Sequence, residues 1–103
     1  METKLAIYGN KATIKAIENG IQVGELNFLI AQKVAIITHT HTFKGHEGRG
    51  IAMNLTLAAI KYAEKQGMKI RPNCKYAYNF LMKHTEFAHL LDEKIDVGLS
   101  SVL

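Results

Sequence analysis

Hydrophobic and polar residues alternate along the first third of the chain, which is typical of strands with one buried face. Residues 12–17 and 21–30 form two such runs, separated by Glu18-Asn19-Gly20. Asn-Gly between two alternating runs is the strongest short signal for a β-hairpin. The sequence therefore predicts an antiparallel pair here, and residues 4–8 are a candidate for a further edge strand.

A second short turn, residues 31–33, leads into Val34-Ala35-Ile36-Ile37. This segment opens a longer β-branched stretch, residues 34–43, and is apolar at consecutive positions. Strands that are covered on both faces have this pattern. We expect a central strand.

The pattern becomes helical over residues 50–66. Gly67 follows where a left-handed helix C-cap belongs. One stripe is predicted to face the core and consists of Ile51, Leu55, Ala58 and Tyr62, with Ala59 beside it. The predicted outward positions are Lys61, Glu64 and Lys65.

A short strand is predicted over residues 68–71, ending at Pro72. A second helix is expected from about residue 75 to residue 84, with Ala77, Phe80 and Leu81 inward. A strand–helix–strand unit crosses over right-handedly and places its two strands parallel.

Composition narrows the class of protein. The 103 residues suit one domain spanning 1–103, and 48% hydrophobic with 21% charged residues is typical of a soluble globular chain. No run approaches the roughly 20 apolar residues that cross a bilayer, and no signal peptide is evident, so we expect no membrane partner. The single cysteine, Cys74, cannot form an internal disulfide, which favours a cytoplasmic location.

The formal net charge of +4 raises the question of nucleic acid binding. Basic residues concentrate modestly between residues 61 and 74, without a dense tract or interleaved aromatic residues. Nucleic acid is therefore not favoured as a partner. A polyanionic small ligand fits this charge equally well.

A glycine-rich loop, Gly45-His46-Glu47-Gly48-Arg49-Gly50-Ile51-Ala52, joins the central strand to the first helix. A strand that turns through glycines into a helix N-terminus gathers unpaired backbone N–H groups, which bind anions such as phosphate. The spacing matches neither a Walker loop nor a dinucleotide fingerprint. A purely structural glycine turn is the alternative.

Three motifs in order carry a family resemblance. They are Thr38-His39-Thr40 before the loop, Gly50-Ile51-Ala52 within it, and Cys74 followed by Phe80 and Lys83-His84-Thr85-Glu86-Phe87. Over about residues 12–87 the chain resembles the small GNAT-like N-acetyltransferases, whose pattern is H-T-E-V, R-G-x-G-I-G, C-P-[FY] and H-P-E-[YF].

The resemblance implies an α/β fold, used here in the broad sense that includes α+β. Its sheet is mixed and mostly antiparallel, with a central splay, and it has two main helices. It implies an acetyl-CoA-dependent N-acetyltransferase that acts on an unidentified amine by direct transfer in a ternary complex. A non-catalytic acyl-CoA-binding or sensor module is the alternative, and neither the acceptor nor the oligomeric state can be read from the sequence.

The resemblance also implies which residues contact acetyl-CoA. Backbone amides of the loop and first helical turn would hold the pyrophosphate, the strand end would pair with the pantetheine arm, and Cys74 would lie near the thioester. Lys44 and Arg49 would neutralise CoA phosphates at the mouth. The implied cofactor-binding residues are His41, Thr42, Phe43, Glu47, Gly48, Arg49, Gly50, Ile51, Ala52, Met53 and Cys74.

The chain departs from the family pattern at several positions. Glu47 replaces Arg or Gln beside the expected pyrophosphate, and His41 replaces the strand-end glutamate. Ala52 and Lys75 replace the final loop glycine and the proline after cysteine, and Leu81 stands where larger relatives keep a tyrosine acid. These changes affect proton transfer more than cofactor binding.

His41 and Cys74 are the catalytic candidates. His41 can act as a general base near neutral pH or be a solvated strand-end residue. With His39 it can also form a metal pair, but no third and fourth ligands are evident, so no metal is expected. Cys74 can accept an acetyl group or, as we favour, pack beneath the cofactor. Tyr76 and Tyr78 are candidate acids or simple helix packing.

Overall fold

The structure is a computed structural model and describes residues 1–92. Within residues 1–92, five strands and two α-helices follow one another, and a short 3₁₀ helix, Thr85–Leu90, comes after them. Their bounds are β1 Glu2–Tyr8, β2 Lys11–Glu18, β3 Ile21–Ala31, β4 Val34–Thr42, α1 Ile51–Gln66, β5 Lys69–Pro72 and α2 Lys75–Lys83. The prediction of a mixed, mostly antiparallel sheet with two main helices is confirmed.

The sheet has the order β1-β2-β3-β4-β5, and among these five described strands only β4 and β5 pair in parallel. The predicted hairpin is present, and Asn19 and Gly20 both adopt positive φ, as a type I′ turn requires. Gln32 and Lys33 form the next turn in the same way, although neither is a glycine. The predicted edge strand of residues 4–8 is present as β1, which begins two residues earlier, at Glu2.

The parallel pairing is short and stops early on β4. β5 pairs with β4 only from Val34 to Ile37, and the last bond runs from the Asn73 amide to the Ile37 carbonyl at 2.8 Å. A bulge at the same level shifts the β3–β4 register between Asn27 and Phe28. The remaining part of β4, residues 38–42, is here called the open segment, because it pairs with β3 but not with β5.

The helix α1 packs on one face of the sheet, but its buried side differs from the predicted stripe. Ala58 and Tyr62 are only half-buried, and Ile60 and Ala63 lie in the core instead. The buried side consists of Ile51, Leu55, Thr56, Ala59, Ile60 and Ala63. The outward positions are as predicted, and the Gly67 C-cap is left-handed with φ 68°. On α2, the three predicted inward residues are buried.

Gly24 on β3 sets how closely α1 approaches the sheet. A Cβ at this position would lie 2.8 Å from the His41 carbonyl oxygen and 2.9 Å from Ile51 Cγ2. Both distances are too short for real contacts, so only glycine lets the first turn of α1 lie directly over β3 and β4. Gly24 thereby fixes where the N-terminus of α1 stands relative to the open segment.

We predict that Gly24→Ala destabilises the fold by about 1–3 kcal/mol, the usual cost of overpacking a core. Urea unfolding measures this free energy. In an Ile51→Ala background the cost of Gly24→Ala should fall, because one of the two clashing groups has gone. An equal cost in both backgrounds would contradict the close packing of Ile51 against Gly24.

Candidate functional site

The glycine loop connects the open segment to α1. Gly48 and Gly50 both have left-handed backbones, with φ 76° and 75°, and Gly50 is the N-cap of α1 without any side-chain cap. Within residues 1–92, the backbone amides of residues 48–53 make no hydrogen bond of normal geometry to a protein acceptor. Successive amides in such a turn, at a helix N-terminus, form a concave anion-binding surface. We call the amides of residues 48–53 the amide cradle.

Glu47 organises the start of the loop. Its carboxylate accepts a hydrogen bond from the Gly45 amide at 2.8 Å. Bonds from its own backbone amide and from that of Gly45 hold the pKa of Glu47 below its ordinary value, so the group is ionised at neutral pH. The Glu47 carboxylate is therefore bonded within the loop, to Gly45. It stabilises the conformation of the loop although it adds a negative charge beside the expected pyrophosphate.

Arg49 has a different environment from the one expected. Its guanidinium forms an ion pair with Glu18, at the end of β2, with an N–O distance of 2.6 Å. It also lies 3.4 Å from His46 Nδ1. Arg49 thus ties the glycine loop to the β2–β3 hairpin, and its charge is already partly neutralised within the protein. Lys44 is exposed on the same loop.

The backbone of the open segment has groups directed away from β3. The Phe43 amide donates to the Val23 carbonyl at 2.9 Å, so the backbone groups of Phe43 and His41 serve the β3–β4 pairing. Because consecutive strand residues point their backbone groups to opposite sides, those of Thr40 and Thr42 point toward the opening. An extended amide-containing chain can pair with the strand there.

Cys74 lies across the opening, at the N-cap of α2. Its sulfur accepts a bond from the Ala77 amide at 3.4 Å and lies 3.3 Å from the Thr40 hydroxyl. The thiol is half-buried. Its contact with Thr40 places it beside β4, at the opening. The Cys74 side chain thus caps α2 and packs against the core.

His41 lies on the opposite face of β4 from Thr40 and Cys74. Its register partner is Glu25, while Thr40 pairs with Leu26 on the face covered by α1. The His41 ring is 5.6 Å from the ring of His39 and 5.4 Å from that of Phe43, centroid to centroid. The two catalytic candidates thus flank the open segment from its two faces, without contacting each other.

A groove of about 290 Å³ separates the first turn of α1 from α2. The sequence pointed only to Met53 among its residues as a cofactor contact. The groove is lined by Met53, Tyr76, Asn79, Phe80, Lys83 and His84. Burial raises the pKa of the Tyr76 phenol, so it stays protonated and can donate a hydrogen bond. Asn79 also lines the groove, which the sequence did not indicate because only the packing of α2 beside α1 places this residue at an opening.

Other candidate chemistry is limited. Leu81 is buried and apolar and supplies no acid. In the part of the chain that the structure describes, no three His, Cys, Asp or Glu side chains lie together as a metal ion requires. No helix within residues 1–92 is long and apolar enough to cross a membrane.

Solved structures share this fold. A GCN5-like N-acetyltransferase from Staphylococcus aureus, described as putative, is 22% identical, with a TM-score of 0.62, 86% of this chain covered and 87% of that one. The ribosomal-protein-alanine N-acetyltransferase of Brucella melitensis is 18% identical, with a TM-score of 0.65 over 74% and 62% of the chains. The PaiA N-acetyltransferase of Thermoplasma acidophilum, solved with coenzyme A, is 18% identical, with a TM-score of 0.61 over 73% and 50%.

The chain spans 62% of the length of the Brucella enzyme and 50% of the length of the PaiA enzyme. No curated protein matches it. A sequence model of the GCN5-related N-acetyl-transferase family matches residues 12–90, which include the open segment, the glycine loop and Cys74. The chain therefore belongs to the GCN5-related N-acetyltransferase family.

Proposed function

We propose that the chain binds acetyl-CoA and transfers its acetyl group directly to an amine in a ternary complex. The observation that carries the proposal is the placement of the amide cradle directly after the open segment. A phosphate-rich head and an extended amide-containing arm need these two features side by side. The family and the CoA complex of the PaiA enzyme support the same ligand.

The pyrophosphate and the pantetheine arm of acetyl-CoA each have a proposed counterpart around the opening. The cradle amides of residues 48–53 would hold the pyrophosphate, and a Cβ at Gly48 would face open space, where a ligand can approach. The backbone of Thr42 would pair with the pantetheine arm, between the side chains of His41 and Phe43. Met53 and Asn79 would contact the cofactor along the groove.

Bound acetyl-CoA supplies an activated thioester. On the protein side, His41 would accept a proton from the incoming ammonium, because imidazole exchanges protons near neutral pH. The amine nitrogen then bonds to the acetyl carbon, the carbon–sulfur bond breaks, and the second amine proton goes to the thiolate. Thr40 and Cys74 would pack beside the thioester, with no covalent bond to Cys74.

A non-catalytic acyl-CoA-binding module is the second candidate. The observation that favours it is the exposure of His39 and His41, since no helix among residues 1–92 walls the acceptor side. Release of CoA thiol with a panel of amines separates the two. Tight CoA binding with no release above background would support the binding module.

We predict that Gly48→Ala weakens CoA binding about tenfold or more, because the left-handed backbone at Gly48 orients the cradle amides. Gly9→Ala is the matched control. It has a similar φ of 61° and equally open space around the added methyl group, but lies in the β1–β2 turn. Calorimetric titration of CoA measures both variants. Absence of wild-type binding at millimolar CoA would overturn the proposal, and equal weakening in both variants would contradict the cradle.

We predict that His41→Ala lowers kcat about a hundredfold or more, the usual contribution of a general base. Cys74→Ala should retain most of the activity, because direct transfer needs no thiol nucleophile. Thiol release at saturating acetyl-CoA measures both rates, and unchanged CoA affinity is the control. Activity that survives both substitutions together would contradict the catalytic assignments, and an acetylated Cys74 seen by mass spectrometry would contradict direct transfer.

A further inference from the structure

Glu25 lies in an oriented polar network on the face of the sheet opposite α1. Its carboxylate accepts a hydrogen bond from the side-chain amide of Asn27, at 3.2 Å, and another from the side-chain amide of Gln22, also at 3.2 Å. Asn27 is fixed in turn, because its oxygen accepts the Thr13 hydroxyl at 2.9 Å. The carboxylate is half-buried and held in one orientation before any ligand arrives.

The charge of Glu25 is not paired within the described protein. Among residues 1–92 it takes part in no ion pair shorter than 4.0 Å, although Lys15 is its register partner on β2. On β4 its register partner is His41, and His39 and Asn27 are the next pair along. A fixed carboxylate beside exposed rings favours a cationic ligand.

Glu25 is poorly suited to bind the nitrogen that reacts. A carboxylate bonded to that nitrogen would stabilise its ammonium form, whereas transfer needs the neutral amine. Glu25 also lies on β3, one strand spacing of about 5 Å further from the opening than His41. An acceptor whose reacting nitrogen is at His41 therefore brings its next group, not its nucleophile, to Glu25.

We propose that the acceptor is a primary amine with a second positive charge, and that Glu25 binds this second charge. The inference rests on the proposed acetyl transfer and names its substrate class. The second ammonium replaces water at the Glu25 carboxylate, while the reacting nitrogen stays at the ring of His41, the register partner of Glu25. Lys15 raises the cost of bringing in another cation, so it opposes binding.

Diaminobutane and pentylamine form a matched pair of probes, since they have the same number of heavy atoms and differ in the second ammonium. With the wild-type protein at saturating acetyl-CoA, we expect a higher kcat/KM for diaminobutane. Glu25→Gln should raise the KM of diaminobutane about tenfold and leave kcat and the KM of pentylamine unchanged, since it removes one charge-assisted hydrogen bond. Glu25→Asp should recover part of the loss, and Lys15→Ala should lower the KM of diaminobutane alone.

Glu64→Gln, on the far end of α1, is the control for a general change of charge. If Glu25→Gln lowered kcat/KM equally for both amines, or if the wild type showed no preference for diaminobutane, the inference would be overturned while the transferase remained intact. Titration of diaminobutane into the CoA complex, followed by NMR, gives a readout without turnover. Binding that depends on Glu25 without thiol release would support the amine site and contradict the transferase, and no binding with no preference would contradict the amine site.

Discussion

The end of the parallel pairing between β4 and β5 is the constraint on which the site depends. Pro72 closes β5, and the chain leaves the sheet after the Asn73 amide has bonded to Ile37. The amides of alternate residues, Lys69 and Asn73, bond toward β4, so the nitrogen of Pro72 faces away from that strand. Beyond Asn73 the chain turns into α2, and β4 continues alone on that side. The opening therefore results from a strand that stops four residues into its pairing, and the free backbone of Thr40 and Thr42 is its direct consequence.

The same opening determines the position of both helix N-termini. Cys74, two residues after Pro72, is the N-cap of α2 and contacts Thr40 across the gap. α1 begins after the glycine loop and is pressed onto β3 at Gly24. The two positive helix ends thus converge on one end of β4, and the nearby unsatisfied amides have an anion, not another protein group, as their natural partner.

The sequence predicted most of this framework because the relevant signals are local. Asn19-Gly20, Gly67 and Pro72 each determine the backbone at their own positions, so turn, cap and strand end could be placed without knowing the fold. The buried side of α1 could not be placed as well, since Ala58 and Ile60 both fit a helical stripe and only the approach to the sheet decides between them. The Glu18–Arg49 ion pair and the Glu25 network need strand register and loop position, which short-range patterns do not contain.

The strand β4 also divides the proposed chemistry between two faces. Because side chains alternate, Thr40 and Thr42 lie on the side of α1 and Cys74, while His39 and His41 lie on the side of Glu25. If the backbone of the open segment holds the cofactor, an amine would reach it from the face of Glu25. On that path the amine passes the imidazole of His41 and does not pass the thiol of Cys74. The Cys74 thiol and the exposed imidazole of His41 lie on opposite faces of β4, and this separation supports the proposal of direct transfer rather than a relay through Cys74.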